Sequence, residues 1–515
     1  VGARRLVRDS ALAALSLVFA LRTADAQREP YPGVDAYIAN AVKTWKIPGL
    51  SVAIIRNDSV VFTKGYGVLS VGGTTPVTDQ TLFEIGSTTK AFTATLAAML
   101  VADGKLRFDD RVITYLPDFR LYDPVASAEL TVRDALTHRG GMGRGELMWL
   151  GSGATRAEVI HRLRFLKPES PFRSRFSYQN MVFTVAGEAT AKAAGTTWEA
   201  LVKQRIFTPL GMTSTLATSK GMTATNVARP HGMDRDSVFA RAFMKGEHIA
   251  PAGSILSSAR DMAQWVRFQL GDGTFGGKRL VSAAALRETH TPQILTGIGG
   301  PGRGGDAAPV TVFSSYGMGW IVEDYRRNLA WQHSGGTEGM TAQVSMLPER
   351  RFGVVVLSNM ASAQLPGIVA RYLLDRELGV AAGDPSGDAY SRTVAQRRVA
   401  DSMQVVQAGQ RATDEPPVPL SALVGTYADS EYGEATISLD NGRLTLQRGE
   451  WRGPLDYWNA SNFRWNTGPG SVVGPMNIKF EIAPDGRVLG MYFGLAGDVY
   501  LMGRKAPPGG RGSTR

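Results

Sequence analysis

Three short motifs stand in a fixed order along the chain: Ser87-Thr88-Thr89-Lys90, Tyr178-Gln179-Asn180 and His333-Ser334-Gly335. Each falls in a different local context. After Ser87, Phe92, Leu96, Met99 and Leu100 recur at helical spacing and Gly104 ends the run, so the first motif opens a helix. Tyr178-Gln179-Asn180 immediately precedes an apolar-periodic stretch, 181–194, that stops at Gly195. His333 follows a predicted strand, 329–332. A fold that uses the three together has to gather a helix start, a pre-helix loop and a strand end. Singly they carry little. S-x-x-K recurs by chance about once in a chain of this size. His138-Arg139-Gly140 repeats H-x-G, and Tyr457-Trp458-Asn459 repeats Y-x-N but breaks the order, so both read as coincidence.

The surrounding pattern predicts α/β (α+β) architecture. A helix is expected over 34–45, then a hairpin of strands 50–55 and 60–63 about an Asn57-Asp58 turn. Residues 130–290 mix helices with Gly/Pro loops, among them a helix over Ala259–Leu270. The stretch 297–306 reads as a glycine-rich loop. Strands at 329–332, 340–347 and 353–357, joined by a Gly335-Gly336 turn and by polar Pro348-Glu349-Arg350-Arg351, predict an antiparallel meander. The expected body is therefore an antiparallel sheet flanked by helices with a helical subdomain, over 27–380. Residues 381–415 turn polar, partly helical, and end Asp414-Glu415-Pro416-Pro417-Val418-Pro419, a linker pattern. From 416 to 506, short alternating strands between turns at Asp440-Asn441-Gly442 and Pro484-Asp485-Gly486 predict a small all-β barrel or sandwich. A Pro/Gly/Arg-rich tail, 507–515, closes the chain.

Residues 1–26 read as a signal peptide. Arg4, Arg5 and Arg8 form a basic region, 11–21 an apolar run too short to span a membrane, and Ala24-Asp25-Ala26 a small-x-small cleavage site. Periplasmic or secreted placement follows as an expectation. With no cysteine, the chain has no disulfide, no thiolate metal site and no cysteine nucleophile. The net charge of +11 comes without a Lys/Arg block interleaved with aromatics, so it reads as a solvated basic surface and not as a nucleic-acid footprint.

The residue types in the three motifs suit acyl transfer. A serine at a helix start and a lysine one turn on share a face, which puts Ser87 Oγ within reach of Lys90, and a lysine buried there among polar groups has a lowered pKa and accepts the proton. A tyrosine beside an ammonium ionises more easily and relays a proton. An asparagine amide holds a substrate carbonyl. The small residues after His333 let a substrate approach an edge strand, and the Gly336 N–H suits an oxyanion donor paired with that of Ser87.

With the motifs in this order the chain resembles the serine β-lactamase-related family of class C β-lactamases, D-Ala-D-Ala carboxypeptidases, D-aminopeptidases and esterases. The resemblance covers about residues 32–375 and extends to Phe83-Glu84-Ile85-Gly86, Leu136-Thr137-His138, Ala252-Gly253-Ser254 and Tyr316-Gly317-Met318-Gly319-Trp320. The S-D-N and K-T-G that accompany S-x-x-K in class A enzymes are missing, which favours the class C-like branch. The resemblance implies Ser87 as nucleophile, Lys90 and Tyr178 as proton carriers, and Asn180, His333, Gly335 and Gly336 as substrate-binding residues. It implies no metal and no cofactor, and a β-lactam, a D-amino-acid peptide or a small ester as substrate. It also implies a lipocalin-like C-terminal domain, packed near the active-site mouth or mediating a homo-oligomer. His333 stands where class C enzymes usually carry lysine. Histidine is mostly neutral at pH 7, so the substitution leans away from efficient β-lactam hydrolysis. A penicillin-recognising sensor that acylates without turnover carries the same motifs and is the alternative.

Other mechanisms lack their residues. There is no G-x-S-x-G elbow and no H-E-x-x-H. Gly300-x-Gly302-x-x-Gly305 matches a dinucleotide fingerprint in spelling only, because no predicted strand leads into it.

Overall fold

The computed structural model describes residues 31–234, 236–298, 310–381, 383–408, 415–465, 476–495 and 498–505. The expected signal peptide, the tail, and residues 299–306 of the expected glycine-rich loop lie outside them. Helix α1 (Val34–Thr44) leads into strands β1 (Gly49–Arg56) and β2 (Ser59–Gly67). Helices α2 (Thr89–Ala102), α3 (Asn180–Ala193) and α4 (Ala259–Leu270) follow. Strands β3 (Ile294–Ile298), β4 (Thr311–Tyr316), β5 (Ile321–Tyr325), β6 (Asn328–Gly336), β7 (Thr341–Leu347) and β8 (Phe352–Ser358) complete the sheet, and helix α5 (Leu365–Glu377) returns across it. The sheet has eight strands in the order β2-β1-β8-β7-β6-β5-β4-β3. Gly297 and Ile298 thus end a strand.

The central strands are apolar on both sides. Leu50, Val52 and Ile54 of β1, with Val354 and Val356 of β8, pack into one core with α1 and α5. Ala53 and Ile55, with Val355 and Leu357, face the opposite core, which holds α2, α3 and α4. Period-2 alternation therefore sends successive residues of one strand into two helical layers, and the strands read as continuous hydrophobic runs. Helix α2 lies in the middle of the second layer and is buried from Thr89 through Leu100. A helix apolar on every side belongs in a core and not on a surface.

The meander is antiparallel as expected, but β6 extends further. It continues through His333, Ser334 and Gly335 to Gly336, pairing Gly335 with Ala342 and Gly336 with Thr341. The turn falls at 337–340. Glycine pairs did not end the strand because the pairing partner, β7, begins only at Thr341.

Residues 381–415 contain helix α6 (Pro385–Ala408), and beyond it the chain closes an eight-stranded barrel. Its strands are β9 (Gly425–Asp429), β10 (Gly433–Asp440), β11 (Arg443–Arg448), β12 (Trp451–Asn459), β13 (Asn462–Trp465), β14 (Met476–Ile482), β15 (Val488–Leu495) and β16 (Asp498–Arg504). Pairing of Tyr427 with Arg504 and Ala428 with Gly503 joins the first strand to the last. Closure leaves no exposed edge. Alternate residues such as Leu444, Leu446, Ile478 and Phe480 fill the interior. Tyr457-Trp458-Asn459 lies in β12, away from the other motifs. No helix among the described residues is long and apolar enough to cross a membrane.

Candidate active site

Ser87 sits in a 3-10 turn, Gly86–Thr88, that feeds directly into α2. One turn on, Lys90 is completely buried and its Nζ lies 3.1 Å from Ser87 Oγ. The same nitrogen donates to Asn180 Oδ1 at 2.7 Å and to the Ala252 carbonyl at 2.8 Å. Burial holds the Lys90 pKa well below the usual lysine range; Glu146 opposes this and Arg144 adds to it. Two of the three partners are carbonyl oxygens, which only accept. A neutral amine has two N–H groups for them, which leaves its lone pair for the Ser87 hydroxyl.

Asn180 is the first residue of α3, and Gln179 caps that helix by accepting from the Met181 N–H. This fixes the loop in which Tyr178 stands. Tyr178 is half-buried at the cleft, with Lys90 Nζ 4.8 Å and Arg144 Cζ 5.3 Å from its ring centre. The sequence reading expected a tyrosine that ionises easily. The structure reverses that: desolvation pushes its pKa up, and hydrogen bonding with Ser87 and the charge of Arg144 offset this only partly. Tyr178 is therefore a phenol at neutral pH.

Strand β6 presses its glycines against the Ser87 turn. A Cβ on Gly335 would run into the Ile85 carbonyl and stand 3.1 Å from Ser87 N, so only glycine permits this approach. A Cβ on Gly86 would likewise lie 2.7 Å from Gly336 N. Ser87, Tyr178, Asn180, His333 and Gly336 line one cleft of about 600 Å³.

His333 is buried, and both of its ring nitrogens are engaged. The Ser334 carbonyl, 2.6 Å from Nδ1, can only accept, so Nδ1 carries the proton and Nε2 accepts from the Tyr316 hydroxyl at 3.0 Å. Desolvation and the nearby Lys90 charge push its pKa down to about 3. The position offers a neutral ring and no fixed cation.

Three residues outside the predicted set join the site. Glu146 accepts from Asn180 Nδ2 at 3.3 Å and pairs with Arg144 at 2.7 Å. His138 packs its ring 4.3 Å from that of Tyr178 and accepts from the Gln179 N–H at 3.1 Å. Tyr316 holds His333. His138 and Tyr316 lie in stretches that carried the family resemblance, whereas Glu146 sits in a loop with no spacing signal. Among the described residues no group of three or more His, Cys, Asp or Glu side chains is placed to hold a metal ion.

The chain is similar to known proteins along most of its length. Residues 34–376 match the β-lactamase family, and residues 410–499 match a domain of unknown function, DUF3471. The chain is 30% identical over 459 residues to the unguisins hydrolase ungD of Aspergillus violaceofuscus, covering 82% of this chain and 78% of that protein. It is 26% identical over 320 residues to penicillin-binding protein 4 of Amycolatopsis lactamdurans, covering 61% and 81%. The octameric penicillin-binding protein homologue from Pyrococcus abyssi superimposes with a TM-score of 0.58 at 22% identity, over 92% of this chain and 98% of that one. A class C β-lactamase from Rhodobacter sphaeroides gives 0.55 at 24% identity, over 67% and 99%. These two likenesses speak for the fold, and the family match covers most of the chain. With a serine, a buried lysine and a tyrosine brought together in one cleft, the chain belongs to the β-lactamase family of serine hydrolases.

Proposed function

We propose that the chain hydrolyses amides or esters that carry no carboxylate beside the scissile bond, through an acyl-enzyme on Ser87. Lys90 is the general base and Tyr178 the general acid. Ser87 Oγ bonds to the substrate carbonyl carbon while its proton passes to Lys90 Nζ. The oxyanion lies between the N–H groups of Ser87 and Gly336. The carbon–nitrogen or carbon–oxygen bond then breaks, and the leaving group takes a proton from Tyr178, which Lys90 restores. Water repeats the sequence on the acyl-enzyme. Asn180 holds Lys90 and orients the substrate carbonyl, and the glycines of β6 admit the substrate backbone.

The observation that carries the substrate class is the neutral, doubly hydrogen-bonded His333. A carboxylate at that position finds no fixed positive charge, so a β-lactam or a free carboxyl terminus loses a charge-assisted bond. The relative named as an unguisins hydrolase supports a hydrolytic reaction. Export of the chain and assembly through the barrel belong to the same proposal.

A parallel assay of nitrocefin, short-chain nitrophenyl esters and D-amino-acid amides tests it, with Ser87→Ala as control. The proposal expects esters or amides to turn over at least about tenfold better than nitrocefin. Nitrocefin as the best substrate would overturn the substrate class. Intact mass after exposure to a β-lactam tests the alternative of a sensor: an adduct that persists for hours contradicts turnover.

A further inference from the structure

The barrel touches the hydrolase domain through the β11–β12 hairpin, at a loop that forms one wall of the cleft. Alternation along β11 buries Leu444, Leu446 and then Arg448, so an arginine occupies an inward position where an apolar residue is expected. Arg448 is 1% exposed. Its guanidinium donates to the Leu147 carbonyl, to the Leu150 carbonyl at 2.9 Å and to the Tyr432 carbonyl at 3.0 Å. Leu147 and Leu150 belong to the hydrolase domain. The hairpin adds a bond from the Glu450 N–H to the Gly151 carbonyl at 3.1 Å. The Trp451 ring lies so close over Gly151 that a Cβ there would strike it.

The gripped loop leads to the catalytic lysine. Glu146 immediately precedes Leu147. Its carboxylate accepts from Asn180 Nδ2, and Asn180 Oδ1 accepts from Lys90. On the other side, Gln179 donates to the Gly143 and Arg144 carbonyls at 2.8 and 3.1 Å. The loop is thus clamped between the cap of α3 and one arginine of the barrel. Burying a guanidinium is costly unless its donors are used; Nε has no acceptor among the described residues, while the two terminal nitrogens reach three carbonyls, two of which belong to that loop.

We propose that Arg448 is a positioning residue: the barrel domain, through this side chain, holds Glu146 in place and so sets the basicity of Lys90. The inference rests on Lys90 being the base for Ser87. A role for the C-terminal domain follows directly. It is a brace for the active-site wall, acting across a domain boundary.

The test is the pH dependence of Ser87 acylation by a nitrophenyl ester in Arg448→Met, Arg448→Lys, Glu146→Gln and Ser87→Ala, each checked for folding by thermal melting. Glu146 raises the Lys90 pKa. Displacing Glu146 therefore moves the acid limb of the rate profile to lower pH. Loss of the Arg448 charge by itself would move it the opposite way, so the sign separates positioning from simple electrostatics. Arg448→Met and Glu146→Gln should both shift the limb down by about half a pH unit, and Arg448→Lys should recover part of the shift. An unmoved limb in folded Arg448→Met, or one moved upward, overturns the proposal. Should methionine at 448 prevent folding, Trp451→Leu loosens the same contact and must shift the limb in the same direction; an unmoved limb there overturns it equally. Ser87→Ala retaining activity would instead remove the hydrolase mechanism on which the inference rests.

Discussion

Lys90 and Arg448 are both basic side chains buried almost completely, one beneath the cleft and one at the domain boundary, and both donate to backbone carbonyls. Their chemistry separates them. Desolvation drives Lys90 well below its usual range, so it can give up its proton and become a base. The same effect moves Arg448 down only to about 10, which leaves it charged at neutral pH and useful only as a fixed set of donors. A buried lysine is a switchable proton carrier, whereas a buried arginine is a strut. The fold uses each for the task the other cannot perform.

Exchanging the two side chains breaks the comparison most sharply. Lys90→Arg keeps a basic side chain but, being always protonated, removes the base, and should lower Ser87 acylation on the order of 10³-fold. Arg448→Lys should cost no more than about tenfold, since an ammonium still reaches part of the carbonyl set. Stopped-flow ester acylation measures both, and comparable losses would contradict the division of roles. Next in size is Gly335→Ala. The added methyl pushes β6 off the Ser87 turn and displaces the Gly336 N–H, with an expected loss of about 10²-fold in kcat. Retained kcat would separate the oxyanion site from this strand.

His333→Lys places a second lysine beside Lys90. Carboxylate-bearing substrates should gain about tenfold in kcat/KM relative to neutral esters. An unchanged ratio would show that His333 does not set the charge preference. The smallest effect concerns a buried acid. Burial raises the Glu84 pKa to about 7, against hydrogen bonds from Thr337 and the Met244 N–H. A carboxyl with a raised folded pKa binds its proton more tightly when folded. The stability contributed by this group is therefore fully present below about pH 4.5 and is lost as pH rises through 7. Glu84→Gln should remove on the order of 1 kcal/mol of that decline, read from urea unfolding at pH 5 and pH 8.

What the sequence made legible followed from local pattern. The helix at Ser87, the loop before α3, the meander of β6 to β8 and the β-rich C-terminal region each have periodicity and turn residues on their side. The ordered motifs then brought Ser87, Tyr178, Asn180, His333 and Gly336 to one cleft, with Lys90 buried beneath it. What depends on burial stayed hidden. The Tyr178 pKa follows from packing against residues distant in sequence, so proximity to Lys90 alone suggested the wrong direction. Barrel and sandwich share the same alternating strands, and only pairing between Gly425–Asp429 and Asp498–Arg504 distinguishes them. Arg448 in a strand reads as a solvated charge until the Leu147 and Leu150 carbonyls are seen against it.

The central claim is covalent catalysis on Ser87. It is tested most directly by acid-quenching the enzyme during turnover of a nitrophenyl ester and mapping the acyl group by peptide mass. The account predicts one acyl mass on the peptide containing Ser87, absent in Ser87→Ala, which should also lose ester hydrolysis. Acyl label on another residue, or wild-type turnover by Ser87→Ala, would contradict it.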